Sequence, residues 1–252
     1  MKFLLTAINA KFIHSNPAIY SLRVSVGEKL QPYVELAEFT INESLESILE
    51  GIWKRQPKVI GFSCYIWNWK LIREILTELP KILPDTEIWL GGPEVTYDGP
   101  GLLREFPQVT GIMVGEGEVT FREVLDHYVR EAESIGQSEQ QPEPDSIEQQ
   151  AADRTGTVAG KSVEERFGQI PGLCLASGYT APRELTDLTT LPFLYEDMES
   201  FTNRIIYYET SRGCPYRCSY CLSSIDKKVR LRDIDVVKRE LQFFLDQNVK
   251  QV

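Results

Sequence analysis

Two stretches decide the fold: residues 88–93 read Ile-Trp-Leu-Gly-Gly-Pro, and residues 112–117 read Ile-Met-Val-Gly-Glu-Gly. In each, three apolar residues are followed at once by glycine, which is typical of a buried parallel strand that ends in a loop. Similar apolar runs precede them at residues 3–8, 34–41 and 59–64. Five such units, with helical patterns between them, predict an α/β domain whose parallel sheet is covered by helices on both faces.

The helical patterns lie between these strands. Apolar residues recur at helical spacing in residues 17–30, 45–53 and 72–79. A T-x-x-E capping box at Thr120 and Glu123 is expected to open the last helix. The first domain is therefore predicted to span residues 1–132.

Composition limits the classes of partner. The 252 residues carry a net charge of −10 and show no dense block of Lys or Arg, so no nucleic-acid partner is expected. No run of about 18 apolar residues is present, and the N-terminus lacks the apolar core of a signal peptide. Three of the five cysteines cluster, which favours a metal site in a reducing compartment over a disulfide framework. We expect a cytoplasmic protein without a membrane contact.

The second half of the chain divides into three predicted parts. Residues 133–168 are expected to form a linker, since the stretch 137–150 is polar, with four acids and no base; a solvated helix is the alternative. Residues 169–204 are expected to form a hairpin and a connector, with the hairpin turn at Ser177 and Gly178. Residues 205–252 are expected to form a strand over 205–210, a cysteine motif, and an amphipathic helix.

The cysteine motif reads Cys214-Pro-Tyr-Arg-Cys218-Ser-Tyr-Cys221. Three thiolates can bind three irons of a cubane [4Fe–4S] cluster, which leaves the fourth iron open to S-adenosylmethionine (SAM). A zinc site or a ferredoxin-type carrier is the alternative, and each would need a fourth ligand. Cys64 and Cys174 lie in apolar runs and are predicted to be small buried hydrophobes.

The spacing C-x3-C-x2-C, with Tyr220 before the last cysteine and Ser-Arg-Gly at 211–213, resembles the motif of the radical SAM superfamily. The resemblance implies an enzyme that cleaves SAM reductively at a [4Fe–4S] cluster to give a 5′-deoxyadenosyl radical. It also implies that Tyr220 packs near the SAM adenine. An electron donor such as flavodoxin or ferredoxin and a small-molecule substrate are the implied partners.

An α/β domain with Gly-Gly-Pro and Gly-Glu-Gly-Glu loops, followed by this motif, resembles the cobalamin-dependent branch of that superfamily. The resemblance implies a flavodoxin-like, five-stranded parallel sheet of order 2-1-3-4-5 that binds cobalamin (B12), followed by the start of a radical SAM barrel. It implies methyl transfer to an unactivated carbon, or another radical reaction such as ring formation. The residues that would then line the cobalamin site are Asn9, Ser63, Gly91, Gly92 and Glu116.

The sequence departs from the family pattern at two places. The D-x-H-x-x-G motif of many cobalamin domains is absent, and His14 stands at a different spacing, so it is either a cobalt ligand or a polar loop residue. His127 is predicted to lie on the surface of the last helix. Of the barrel, only a first βα unit at about 205–247 is recognisable, so we expect a truncated chain that is inactive by itself.

Two alternative hypotheses remain beside this one. In the first, the chain is a cobalamin-binding module with a non-catalytic cluster motif. In the second, it is a radical SAM enzyme whose α/β domain mediates contacts without binding cobalamin. Measurements of bound cobalt and bound iron distinguish the three hypotheses.

Overall fold

The computed structural model describes residues 1–138, 161–195, 198–216, 218–221 and 228–252, with the backbone only for 135–138. Most of the polar stretch predicted to be a disordered linker lies outside these residues. The strands are β1 Phe3–Asn9, β2 Val34–Thr40, β3 Val59–Ser63, β4 Glu87–Gly91, β5 Val109–Met113, β6 Leu173–Leu175, β7 Gly178–Tyr179, β8 Ser211–Arg212 and β9 Arg230–Leu231. The helices are α1 Pro17–Ser25, α2 Leu45–Trp53, α3 Trp69–Ile82, α4 Gly99–Glu105, α5 Gly117–Ser138, α6 Val163–Phe167 and α7 Ile234–Asp246.

The main sheet has the order β2-β1-β3-β4-β5-β6-β7. Its first five strands are parallel, so the predicted five-stranded sheet of order 2-1-3-4-5 is confirmed. The sheet is wider than predicted, because the hairpin of β6 and β7 adds to β5 in antiparallel pairing, with Ile112 opposite Cys174. The hairpin covers what would otherwise be an open edge of the parallel sheet.

The core lies on both faces of this sheet, as alternation along β1 shows. Phe3 and Leu5 pack towards α1 and α5, whereas Leu4 and Ile8 pack towards α2 and α3. Burying one Leu, Ile or Phe side chain contributes roughly 1.5–3 kcal/mol to the free energy of unfolding. The prediction for Cys64 and Cys174 is confirmed, since both are buried and burial raises the pKa of each thiol.

Helix α5 begins earlier than predicted, so the capping box at Thr120 is wrong. The helix starts at Gly117, which puts Thr120 inside it, fully buried, where its hydroxyl accepts from Arg183 Nε at 2.7 Å. Glu123 forms an ion pair with the same arginine instead of capping the helix. α5 is 22 residues long. Neither it nor another helix among the described residues is long and apolar enough to cross a membrane.

The predicted linker of residues 133–168 extends too far at both ends, since α5 continues to Ser138. Residues 162–167 contain α6 and its capping box, in which the Ser162 hydroxyl accepts from the Glu165 amide and the Glu165 carboxylate accepts from the Ser162 amide. Phe167 is fully buried, and its ring meets Trp89 edge-on with centroids 5.1 Å apart. One buried aromatic side chain therefore anchors a segment that is polar on average.

The strand predicted for residues 205–210 does not form. Only Ile205 makes a bridge, with His14, and ordered pairing begins at β8, which is antiparallel to β9. A strand needs a partner along its length, and among the described residues this segment has one bridge, to the loop after β1. The amphipathic helix is confirmed as α7, whose Val237 and Phe244 are buried. Phe244 belongs to a small separate core with Tyr195, Phe201 and Ile206.

Candidate cofactor site at the carboxyl edge of the sheet

The order of the strands reverses between β1 and β3, which places a crevice at their carboxyl ends. In open α/β sheets, ligands bind outside the carboxyl ends of the strands at such a switch point. Asn9 is the last residue of β1 and Ser63 the last residue of β3. Two of the residues that were predicted to line a cofactor site therefore lie beside this crevice.

A network of asparagine side chains forms the floor of the crevice. Asn16 caps α1 by accepting from the Ala18 amide, and its Nδ2 donates to Ser63 Oγ at 3.1 Å. Asn68 Nδ2 donates to the carbonyl oxygens of Ile8 at 3.0 Å and Ser63 at 2.9 Å. The loops after β1 and β3 are thus tied together by buried polar contacts. Asn16 was not predicted, although an asparagine directly before a helix is a signal for an N-cap.

Asn9 adds further hydrogen bonds at the same edge. Its Nδ2 donates to the His14 carbonyl at 3.0 Å and to Glu38 Oε2 at 3.3 Å, so it holds the β1–α1 loop and the end of β2. Glu38 also pairs with Arg204 from the second half of the chain.

The three glycines of this edge play different roles. Gly92 has a φ of +108°, and a Cβ there would lie 2.5 Å from the Cys64 carbonyl oxygen, so the close approach of two loops requires glycine. Gly115 has a φ of +80° with no heavy atom within 4 Å of its Cβ position, and Gly91 has its nearest neighbours at 3.8 Å. Gly115 is exposed and thus leaves open backbone at the edge, where a ligand can approach closely. Gly91 is paired with strands on both sides, and its carbonyl accepts from the Cys64 amide at 2.7 Å.

Exposed apolar side chains follow three strands at the same edge of the sheet, and we call them the apolar rim. Its members are exposed side chains on the loops that follow β1, β3 and β4: Phe12, Ile66, Trp67 and Tyr97. Trp67 is 49% exposed and stacks on Tyr65, with ring centroids 4.4 Å apart and planes within 7°. Large ligands bind in sites with apolar walls and a few polar groups that fix their orientation. The polar floor, the open backbone at Gly115 and the apolar rim therefore fit the mixed polar and apolar character of cobalamin.

Glu116, also predicted to line this site, has both carboxylate oxygens engaged. Oε2 accepts from the Thr186 amide at 2.7 Å, and Oε1 pairs with Arg230 and lies 3.4 Å from Arg212 Nη1. Burial raises the pKa of Glu116, but hydrogen bonds from Arg230 and Thr186 and the charges of both arginines outweigh it and lower the pKa overall. Glu116 is thus an ionised anchor for the chain that surrounds the cysteines.

The two histidines have protein partners. His14 Nδ1 forms a hydrogen bond with the Tyr207 hydroxyl, and the two rings stack with centroids 5.9 Å apart. His127 lies on α5, half-buried, with Nε2 at 2.9 Å from Glu131 Oε1. The environment of His14 is that of a loop residue which joins the β1–α1 loop to the segment before the cysteines.

The three cysteines of the motif form no disulfide and are partly exposed. The Cys221 amide donates to the Cys218 carbonyl at 3.1 Å, which gives this end of the motif a turn. The described residues contain no group of three or more His, Cys, Asp or Glu side chains gathered as metal ligands. The donor set nonetheless suits iron, because three accessible thiols lie within eight residues. Tyr220 is 91% exposed.

The segment that leads to the cysteines follows the carboxyl edge of the sheet. The Ile205 amide donates to the Ile13 carbonyl at 2.9 Å, beside the end of β1. Farther along, Arg212 Nη2 donates to Glu118 Oε1 at 2.6 Å, at the start of α5. The cysteine loop therefore begins at the same edge as the crevice.

Comparison with known proteins identifies the sheet domain. Residues 4–125 match the model of the B12 binding domain. The match covers a little under half of the chain. A 2-(S-pantetheinyl)-carbapenam-3-carboxylate methyltransferase of Streptantibioticus cattleyicolor is 27% identical over 91% of the chain. The cobalamin-dependent radical SAM methyltransferase TokK of Streptomyces tokunonensis is 27% identical over 78% of the chain.

These relatives confirm the resemblance to cobalamin-dependent radical SAM proteins that the motifs indicate. The chain spans 30% of the length of the first relative and 27% of the second. A solved structure of the cobalamin-dependent SAM radical enzyme OxsB, with aqua-cobalamin and SAM bound, has a TM-score of 0.63. It is 17% identical and covers 95% of this chain, which covers 31% of OxsB. The likeness confirms the fold of the B12-binding domain and of the segment that follows it.

Proposed function

We propose that this chain binds cobalamin at the carboxyl edge of its B12-binding domain and a [4Fe–4S] cluster at Cys214, Cys218 and Cys221. It would thereby contribute to an enzyme that cleaves SAM reductively and transfers a methyl group to an unactivated carbon. The relatives support this proposal, because they are methyltransferases of this class.

One observation carries the proposal. Arg212 lies two residues before Cys214, and its guanidinium pairs with Glu118 at the carboxyl edge of the sheet. A chain that brings cobalamin and a cluster into one reaction must hold their two sites close together. The ion pair brings the start of the cysteine loop to the edge at which ligands of such sheets bind.

The cofactors would supply the chemistry, and the residues of the chain would hold them in place. When both are bound, one electron from the reduced cluster cleaves SAM to methionine and a 5′-deoxyadenosyl radical, and cobalamin supplies a methyl group. Gly115 would leave room for the corrin, and the apolar rim would shield it from water. The three thiolates hold iron, and Tyr220 is available to cover the adenine of SAM. A flavodoxin or ferredoxin is the proposed electron donor.

Cobalamin binding is tested with hydroxocobalamin and the purified 252-residue chain under anaerobic conditions. We expect about one cobalt per chain after gel filtration, and a weakening of about tenfold for Trp67→Ala, which removes an aromatic wall of the rim. Trp53→Ala is the matched control, since Trp53 is equally exposed but ends α2 at the amino edge of the sheet. Failure to retain cobalt, or equal losses in both variants, would contradict the proposed site.

Cluster binding is tested by anaerobic reconstitution with ferrous iron and sulfide. About four irons per chain are expected in the wild type, with loss of the charge-transfer absorbance in Cys214→Ser, Cys218→Ser and Cys221→Ser. Cys174→Ala keeps its iron, because Cys174 is buried in β6. A chain whose cysteine variants retain as much iron as the wild type would rule out this ligand set.

Combined results distinguish the proposal from its alternatives. Cobalt uptake without iron would favour a cobalamin-binding module with a non-catalytic cluster motif. Iron uptake without cobalt would favour a domain that mediates contacts only. SAM cleavage is read separately as 5′-deoxyadenosine.

A further inference from the structure

The cysteine loop is closed at its base by a two-residue ladder. Arg212 of β8 pairs with Arg230 of β9, and Ser211 with Leu231. Gly213 has a φ of +94°, and a Cβ at this position would lie 2.3 Å from the Lys228 carbonyl oxygen. The two segments that enter and leave the loop are therefore closely packed against each other. We call residues 211–213 and 228–231 the neck.

Both arginines of the neck reach across to the B12-binding domain. Arg212 Nη2 lies 2.6 Å from Glu118 Oε1, and its Nη1 lies 3.4 Å from Glu116 Oε1. Arg230 pairs with Glu116, and its Nη1 donates to the Thr186 carbonyl at 2.7 Å. Glu116 and Glu118 flank Gly117, the first residue of α5, so the carboxylates project from one short stretch of the domain.

The ion pairs between the neck and the glutamates are mostly buried and are directional. The side chains of Arg212, Glu116 and Glu118 are 17%, 15% and 7% exposed. Arg212 uses its third nitrogen on Glu209 Oε2 at 2.8 Å, so three carboxylates share its planar guanidinium. Charge-assisted hydrogen bonds of this kind fix orientation as well as distance. A lysine could supply the charge but not the fork.

We propose that Glu116 and Glu118 are positioning residues that hold the neck of the cysteine loop on the carboxyl edge of the B12-binding domain. They thereby set the separation of the cluster from cobalamin. Glu116 acts through Arg212 and Arg230, and not as a contact of cobalamin, because both of its oxygens are engaged by the neck and Thr186. The inference rests on the proposed function for the two cofactors, and its first test is independent of them.

That first test measures amide hydrogen exchange in the cofactor-free chain. In the double variant Glu116→Gln/Glu118→Gln, the neutral amides no longer hold the arginines. Exchange in 209–214 and 228–232 should accelerate about tenfold, while β1 to β5 keep their protection. The matched control is Glu123→Gln on the same helix, which removes the partner of Arg183. It should leave the neck unchanged. Unchanged exchange at the neck in the double variant would overturn the proposal.

The second test separates positioning from a merely structural role. Wild type and double variant are loaded with iron, sulfide and hydroxocobalamin. The bound cofactors are then reduced to their paramagnetic states, the reduced cluster and cob(II)alamin. Pulsed electron paramagnetic resonance then gives their separation. We expect equal iron and cobalt contents, a narrow distribution for wild type and a broad or shifted one for the variant. The same narrow distribution in both would show that the glutamates do not position the loop.

The two failures are distinguishable. A wild-type chain that takes up no cobalamin or no iron overturns the proposed function and with it the cofactor spacing. The exchange data still decide whether Glu116 and Glu118 hold the neck.

Discussion

Two arginines lie at opposite edges of the same sheet, each between glutamates, and they differ in what they connect. At the amino edge, Arg166 binds Glu87 at 3.0 Å and Glu131 at 2.9 Å, and its side chain is 2% exposed. At the carboxyl edge, Arg212 binds Glu116 and Glu118 and is more accessible.

The partners of Arg166 belong to the sheet domain itself. The guanidinium stacks over Phe167 at 4.7 Å and Tyr128 at 5.1 Å, and Tyr128 donates to Glu87 at 2.6 Å. Arg212 instead joins this domain to the segment that carries the cysteines. The same pairing of charges thus closes a core at one edge and orients a loop at the other. Global stability should depend more strongly on the first network, and local opening more strongly on the second.

The largest effect is expected for Arg166→Ala. Two mostly buried carboxylates would lose their counter-charge, which lowers the free energy of unfolding by about 3–5 kcal/mol. Arg130→Ala is the control, since Arg130 on α5 is 76% exposed and pairs with Asp126 in the same helix. It should cost about 1 kcal/mol or less. Urea unfolding measures both, and similar losses in the two variants would remove the distinction between a core network and a surface pair.

A smaller effect is expected at the carboxyl edge for Gly92→Ala. The new Cβ meets the Cys64 backbone at an unfavourable φ, so the free energy of unfolding should fall by about 2–4 kcal/mol. Gly115 also has a positive φ, but its Cβ position is open. Gly115→Ala should therefore lower the free energy of unfolding by only about 1 kcal/mol. Equal losses on urea unfolding would mean that the close approach of the two loops is not a constraint.

The carboxyl-edge network should also respond to acid. The pKa of Glu116 is lowered from 4.5 in the folded chain, so its ionisation stabilises the fold above about pH 4.5, and this contribution disappears as pH falls through the folded pKa. The difference in urea midpoint between wild type and Glu116→Gln should therefore be largest at pH 7 and shrink towards pH 4. A difference that grows on acidification would contradict the assigned ion pairs.

The smallest effect on global stability is expected for Arg212→Lys, at about 1 kcal/mol or less, because the neck is separate from the two main cores. The same exchange at Arg166 should cost more, since lysine cannot bind two carboxylates and stack on two rings at once. Urea unfolding of the pair measures this. An Arg212→Lys variant that is as unstable as Arg166→Lys would show that the neck is part of the global folding unit.

Much of the fold follows from local sequence. The runs of apolar residues in β1 to β5 identify buried strands because both faces of a parallel sheet are covered. The predicted α2 and α3 follow from the spacing of Ile48, Ile52, Ile72 and Ile75, which are all buried. The strand predicted at 205–210 and the capping box at Thr120 failed, because each depends on where a partner or a helix start lies in space.

The candidate site divides in the same way. The residues at the ends of β1, β3 and β4 were predictable, since the carboxyl ends of parallel strands share one edge. The network of Asn16 and Asn68 was not, because its donors and acceptors come from loops about 50 residues apart.

The sequence by itself determined the parallel sheet, most of the helices that cover it and the three thiols, because periodicity and cysteine spacing are local properties of the chain. Only the tertiary structure decided that the β6–β7 hairpin completes the sheet and that Arg166 is buried. It also decided that Glu116 faces two arginines about 100 residues farther along. These features depend on contacts between distant residues, and such contacts exist only once the chain has packed.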